Sequence, residues 1–194
     1  MKVVTLKKLV ISNWRGQSRE LEFNGNAIIK GKNKSGKSTI QDAFLWLLTG
    51  YDSNNRMNFN LFDNKKEYTY NDNPVASVIG LFDIDGNEYE FKRTAQMGFV
   101  RRRGSDIYER KGTDNYSFFL DSIELSAGEY KNRVADLLCG GDLLRTIIDI
   151  KYFLSLKWED QRIMLGNIAG QIENSDMNGD YGDLFSQLNK YTLE

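Results

Sequence analysis

Eight consecutive residues, Gly31-Lys32-Asn33-Lys34-Ser35-Gly36-Lys37-Ser38, set two glycines, a lysine and a hydroxyl at the spacing of a phosphate-binding loop. Gly31 and Gly36 let the backbone curl tightly enough to aim N–H groups at phosphate oxygens. Lys37 is expected to reach the β- and γ-phosphates of a nucleoside triphosphate, Ser38 to place its hydroxyl on Mg²⁺, and Thr39 to support the α-phosphate. Asn33, Lys34 and Ser35 complete the set of nucleotide-binding candidates. ATP with Mg²⁺ is the expected cofactor pair, and GTP stays open because such a loop reads phosphates and not the base. A glycine-rich turn that merely caps a helix is the alternative. It leaves the pairing of Lys37 with a hydroxyl at the opening of an apolar helix unexplained.

The loop needs a strand before it and a helix after it. Ala27-Ile28-Ile29 reads as a short buried strand running into the loop, and residues 38–48 have helical spacing with Ile40, Phe44, Trp46, Leu47 and Leu48 apolar. Upstream, residues 3–11 and 19–23 read as strands joined through Trp14-Arg15-Gly16. Residues 50–74, rich in Asn, Asp and Lys, read as an irregular surface excursion. Two β-rich runs around Asp85-Gly86 predict a type I′ hairpin over 75–93. Further antiparallel strands are expected at 99–103 and 116–120. From Ser126 the pattern turns helical: Ser126 and Glu129 fit a capping box, Val134, Leu137 and Leu138 form a buried stripe, and another helix is predicted over about 158–169.

Composition bounds the chemistry. The chain has 26 Lys and Arg against 27 Asp and Glu, so any nucleic-acid contact must come from a local patch and not from global charge. The absence of histidine and a single cysteine, Cys139, argue against hydrolase chemistry built on either residue, and against a disulfide framework. Nothing resembles a signal peptide or a membrane span, which predicts a cytoplasmic protein without membrane contact.

The segments around the loop resemble the N-terminal half of the ATPase head in the SMC, SbcC and RecF group, which includes ATPases of phage recombination operons. The resemblance rests on residues 9–16 (Leu-Val-Ile-Ser-Asn-Trp-Arg-Gly), on Gly31 to Thr39, on residues 41–50 (Gln-Asp-Ala-Phe-Leu-Trp-Leu-Leu-Thr-Gly), and on residues 152–162. It implies that Asn13 and Arg15 lie near the nucleotide. It also implies a chain that continues into a coiled coil and returns with a C-terminal lobe carrying the signature motif, the Walker B aspartate and the catalytic glutamate. Two such heads would sandwich ATP as a homodimer. DNA is an implied partner, and a nuclease is a further one.

Two segments mimic parts of that second lobe. Residues 125–129 (Leu-Ser-Ala-Gly-Glu) resemble the signature motif, but the capping box explains them better. Asp149 and Asp83 each end an apolar run, yet neither is followed by a glutamate that would activate water. Gln161 is available as a glutamine-loop residue, although a helix-surface glutamine is the simpler reading. Arg101, Arg102 and Arg103, with Lys92 and Arg93 nearby, are candidates for DNA phosphates, against the plainer alternative of a solvated charged surface.

The expected fold is therefore α/β: a P-loop NTPase N-lobe of the ABC-ATPase head type, with a mixed or antiparallel sheet followed by helices leading toward a coiled coil. Residues 1–170 are assigned to the lobe and 171–194 to the helical start of a coiled coil cut short at Glu194. The expected function is the ATP-binding half of an SbcC/SMC-like head in DNA repair or recombination. No catalytic residue is assigned within the chain, and little hydrolysis is expected from it alone. The rivals are a self-sufficient small NTPase or kinase using Asp83 or Asp149, and a non-catalytic nucleotide-sensing scaffold of a defence complex.

Overall fold

In the computed structural model, which describes residues 2–33 and 35–169, all the described strands fall within the first 125 positions, together with one α-helix, and further helices follow. β1 (Val4–Trp14) and β2 (Gln17–Glu22) form a hairpin across Arg15-Gly16. β3 (Val75–Ile84) and β4 (Asn87–Gln96) form a second across Asp85-Gly86, whose φ values of 53° and 84° suit the expected type I′ turn. β3 alternates buried and half-buried positions along its length, the signature of a strand with one face in the core.

The expected strand at 99–103 is corrected by the structure. β5 (Phe99–Arg101) pairs only with β6 (Tyr108–Arg110) in a separate two-stranded ribbon. The free edge of β4 is taken instead by β7 (Asn115–Leu120), whose pairing over Phe91–Gln96 brings half-buried Phe118 and Leu120 against the core, whereas Val100 and Arg101 stay exposed. β8 (Ile123–Leu125) completes a six-stranded sheet of order β2-β1-β3-β4-β7-β8 in which every pairing is antiparallel.

α1 (Lys37–Thr49) packs its apolar side on β1, β3 and β4, and α2 (Ala127–Leu137) packs on β7, β8 and α1. Trp14 and Trp46 meet at 4.6 Å between ring centroids and are completely buried or nearly so. Burial of one such side chain stabilises by about 2–3 kcal/mol relative to leaving it in water. Tyr130 of α2 donates its hydroxyl to the Leu47 carbonyl at 3.0 Å, and burial raises the hydroxyl's pKa above the usual tyrosine range. The capping box is formed: the Glu129 N–H donates to Ser126 Oγ at 3.3 Å and the Ser126 N–H donates to the Glu129 carboxylate at 2.9 Å.

Two further expectations are corrected. Ala27-Ile28-Ile29 forms no strand, and Ile28 and Ile29 are 83% and 43% exposed. A strand needs a ladder partner and a covering face, and neither is offered to this segment by the described residues. Residues 50–74 are irregular, apart from a 3₁₀ turn at Tyr70–Asp72, but they are not simply surface. Asp52, Ser53, Leu61 and Phe62 are buried: the Asp52 carboxylate accepts the N–H groups of Asn54 and Arg56, and Leu61 and Phe62 join the hydrophobic core.

α3 (Gly141–Ile148), α4 (Ile150–Ser155) and α5 (Trp158–Ala169) follow. The chain divides into two compact units, Met1–Tyr152 and Phe153–Glu194. In the second, Gln161 donates Nε2 to the carbonyls of Phe153 (3.1 Å) and Leu156 (3.0 Å), so it caps the end of α4. The coiled-coil expectation for 171–194 lies outside the described residues.

Candidate nucleotide-binding site

The sequence places Gly36 immediately before a helix, and there its backbone adopts φ 84°, a conformation that only glycine enters without strain. No side chain caps the N-terminus of α1 and no acid lies in its first turn. The first N–H groups and the positive end of the helix dipole are left to an anion. Lys37 folds back across the loop, its Nζ donating to the carbonyls of Gly31 (2.6 Å) and Lys32 (2.7 Å). The ammonium is thereby fixed over the loop, where an incoming phosphate would meet it.

The loop opens into a cleft of about 710 Å³ lined on one side by Asn33, Ser35, Gly36, Lys37 and Ser38, and on the other by apolar residues including Leu6, Phe23, Ile29 and Phe44. Ser38 is exposed on the first turn of α1, while half-buried Thr39 is not among the lining residues. Lys34 lies outside the described residues. Mg²⁺ asks little of the protein, because it keeps several waters and takes the rest of its oxygens from the phosphates. The Ser38 hydroxyl fits that demand. Among the described residues no acidic side chain lines the cleft and no cluster of metal-ligating side chains occurs. The cleft can hold and polarise phosphates but offers no base to activate water.

Asn13 and Arg15 do not line the cleft. Asn13 spends its side-chain amide on the Val75 carbonyl at 3.1 Å. Arg15 acts on the nucleotide helix from behind: Nη1 bonds Asp42 Oδ2 of α1 at 2.8 Å, Nε donates to the Asn60 carbonyl at 3.2 Å, and Nη2 stands 3.9 Å from Asp52. The other oxygen of Asp42 accepts the Ser53 N–H at 3.0 Å. Asp52 is fully buried. Burial pushes its pKa up, but bonds from the Arg56 guanidinium and from the N–H groups of Arg56 and Asn54 outweigh this and hold it below the usual value.

Two residues that sequence reasoning passed over lie against the loop. Arg19 donates Nη2 to the Ser35 carbonyl at 2.7 Å, and Gln17 presses its side-chain oxygen against Gly36. The signal was the period of β2: Gln17, Arg19 and Leu21 alternate onto one face.

The mimics of a second lobe resolve as structural. Asp149 ends α3 and accepts the Lys151 N–H at 3.2 Å, so residues 146–148 are helix and not a Walker B strand. Asp83 accepts the Gly86 N–H at 3.0 Å in the hairpin turn and pairs with Lys7. The basic patch is smaller than expected. Arg101 pairs with Asp106, Arg102 stands 3.7 Å from Glu109, and Arg103 is exposed without a partner among the described residues. Arg93 is removed from the patch altogether. It is half-buried, its guanidinium packed on Trp46, Tyr116 and Phe118, where desolvation lowers its pKa to about 10.

An antiparallel sheet carrying a phosphate loop at the head of a buried helix defines a P-loop nucleotide-binding lobe. A family model, AAA_23, described as an AAA domain, matches residues 8–181, and the chain belongs to that family: it is an N-terminal ATPase lobe of SMC/SbcC-like type. No curated protein matches the chain. No helix among the described residues is long and apolar enough to cross a membrane.

Proposed function

We propose that the chain is the ATP-binding half of an SbcC/SMC-like ATPase head that works in DNA repair or recombination. The observation that carries this reading is Lys37 fixed across Gly31 and Lys32 at an uncapped helix N-terminus, in a cleft that no acid lines among the described residues. The site is built to hold Mg·ATP through Lys37, Ser38 and the loop N–H groups. It depends on another lobe for the carboxylate that activates water.

Two features support a second lobe. The exposed segment at Ile28 and Ile29 has no ladder partner among the described residues, and the apolar wall of Leu6, Phe23 and Phe44 borders the same cleft. A C-terminal lobe covering both would complete the head, and a second head would close over the nucleotide. ATP then drives head association and hydrolysis releases it. DNA is the substrate on which this cycle acts, with Arg103 the freest of the three candidate arginines, and a nuclease is the expected working partner.

The test is a titration of the chain with a fluorescent ATP analogue, alone and with a supplied C-terminal lobe. Expected are binding that Lys37→Ala weakens by at least tenfold, and turnover at background until the second lobe is added. Steady turnover by the chain alone that Lys37→Ala abolishes would sink the split-head reading and favour a self-sufficient NTPase.

A further inference from the structure

β2 lies beside the phosphate loop, and its register sets what it presents. Arg19 pairs with Ile11 and Leu21 with Leu9, and both partners are buried core residues of β1. Directly opposed residues of an antiparallel pair project to the same face. Gln17, Arg19 and Leu21 therefore face the side of the sheet that carries α1. Leu21 packs against the core there, whereas Arg19 reaches the loop and donates Nη2 to the Ser35 carbonyl at 2.7 Å.

This carbonyl belongs to the same planar peptide as the Gly36 N–H, and in a trans peptide the two groups point in opposite directions. Holding the Ser35 oxygen outward, toward β2, turns the Gly36 N–H toward the loop interior, where phosphate oxygens are bound. Gln17 fills the space beside Gly36 on the same face. Its Oε1 is buried without a hydrogen-bond partner among the described residues, and a Cβ built at Gly36 would come closer than 3.0 Å to it, and 3.1 Å from Arg19 Nη2. The loop is thus walled by two polar side chains that neither line the cleft nor need to touch the ligand.

The geometry points to Arg19 as a positioning residue of the nucleotide site, one that sets the Ser35-Gly36 peptide for phosphate, with Gln17 as the wall that keeps position 36 a glycine. The inference rests on the nucleotide reading above. It adds the edge strand β2 to the site and separates Arg19, which acts through the backbone, from Lys37, which acts on the phosphates directly.

The experiment measures affinities for ATP, ADP and pyrophosphate, by competition against a fluorescent ATP analogue with Mg²⁺ present, for the wild-type chain, Arg19→Ala and Arg19→Lys. Arg19 is exposed, so the melting temperature without ligand should be unchanged and serves as the folding control. A loss of about tenfold in Arg19→Ala, equal for the three ligands and largely restored by Arg19→Lys, whose single ammonium can still reach one carbonyl, is the expected result. A loss confined to ATP would overturn the inference by making Arg19 a direct γ-phosphate ligand. Unaltered affinities in Arg19→Ala, with a wild-type chain that binds, would overturn it alone. Absence of binding by the wild-type chain would overturn the nucleotide reading and this inference together.

Discussion

Arg93 donates Nη1 to the carbonyl of Trp46 at 2.9 Å, at the opposite end of α1 from Lys37. Its guanidinium lies 4.6 Å from the centroid of the Trp46 ring and 4.9 Å from that of Phe118, with no carboxylate in ion-pair range among the described residues. A cation at a helix C-terminus is favoured by the dipole and by the unpaired carbonyls. Stacking on aromatic faces offsets much of the cost of burial. Arg93→Ala opens a hole at the base of the nucleotide helix and is expected to cost about 2–4 kcal/mol in urea denaturation. Arg93→Met, which keeps most of the packing, should lose clearly less, and equal losses would show that the charge, not the packing, is what matters.

The two loop glycines should differ in their tolerance of a methyl group. At Gly36 an added Cβ meets the Gln17 oxygen and the backbone sits at φ 84°, which by itself costs about 1–2 kcal/mol for an L-residue. At Gly31 the obstacle is the Ser35 hydroxyl at 2.6 Å, the end of a side chain that can rotate away. Gly36→Ala is expected to abolish binding of fluorescent ATP in a chain that still folds, while Gly31→Ala retains part of it. Equal affinities in the two variants would contradict this account of the loop.

Asp52 makes stability depend on acid in a defined direction. Its folded pKa lies below the ordinary 3.8, so its contribution is fully present above that value and is lost as pH falls through the folded one. Urea midpoints measured from pH 7 down to pH 2 should fall for the wild-type chain at the acid end. Asp52→Asn should start lower at pH 7 and fall less steeply below about pH 4. Parallel curves would mean that the Asp52-Arg56 bonds contribute nothing to folding.

Ser126 separates a helix cap from a signature motif. Ser126→Ala should destabilise the lobe by about 1 kcal/mol, through the N–H of Glu129 that it leaves uncapped, and should not change nucleotide affinity. A loss of ATP binding at unchanged stability would restore the signature reading of residues 125–129.

What could be read without the structure follows from the range of the interactions. The Asp85-Gly86 hairpin, the Ser126-Glu129 box and the Gly31–Ser38 loop are local patterns, in which a residue's partners lie within a few positions along the chain. Arg93 was misassigned to a basic surface because its partners, Trp46 and Phe118, are 47 and 25 positions away, and an arginine in a strand carries no mark of being buried. The inward turn of Asp52 was hidden in a polar stretch for the same reason. Ala27-Ile28-Ile29 has the right residues for a strand, but strand formation belongs to the pair and not to the segment.

That unpaired stretch sets how the isolated lobe behaves in concentrated solution. A segment outside any strand that carries two exposed isoleucines is a surface on which another copy of the same segment can lay itself down. Self-association should therefore rise with concentration, and a charge introduced at Ile28, which is 83% exposed and does not line the cleft although Ile29 does, should suppress it. In the proposed head the same few residues would receive the C-terminal lobe, so the surface meant for that neighbour would also be the first that another copy takes.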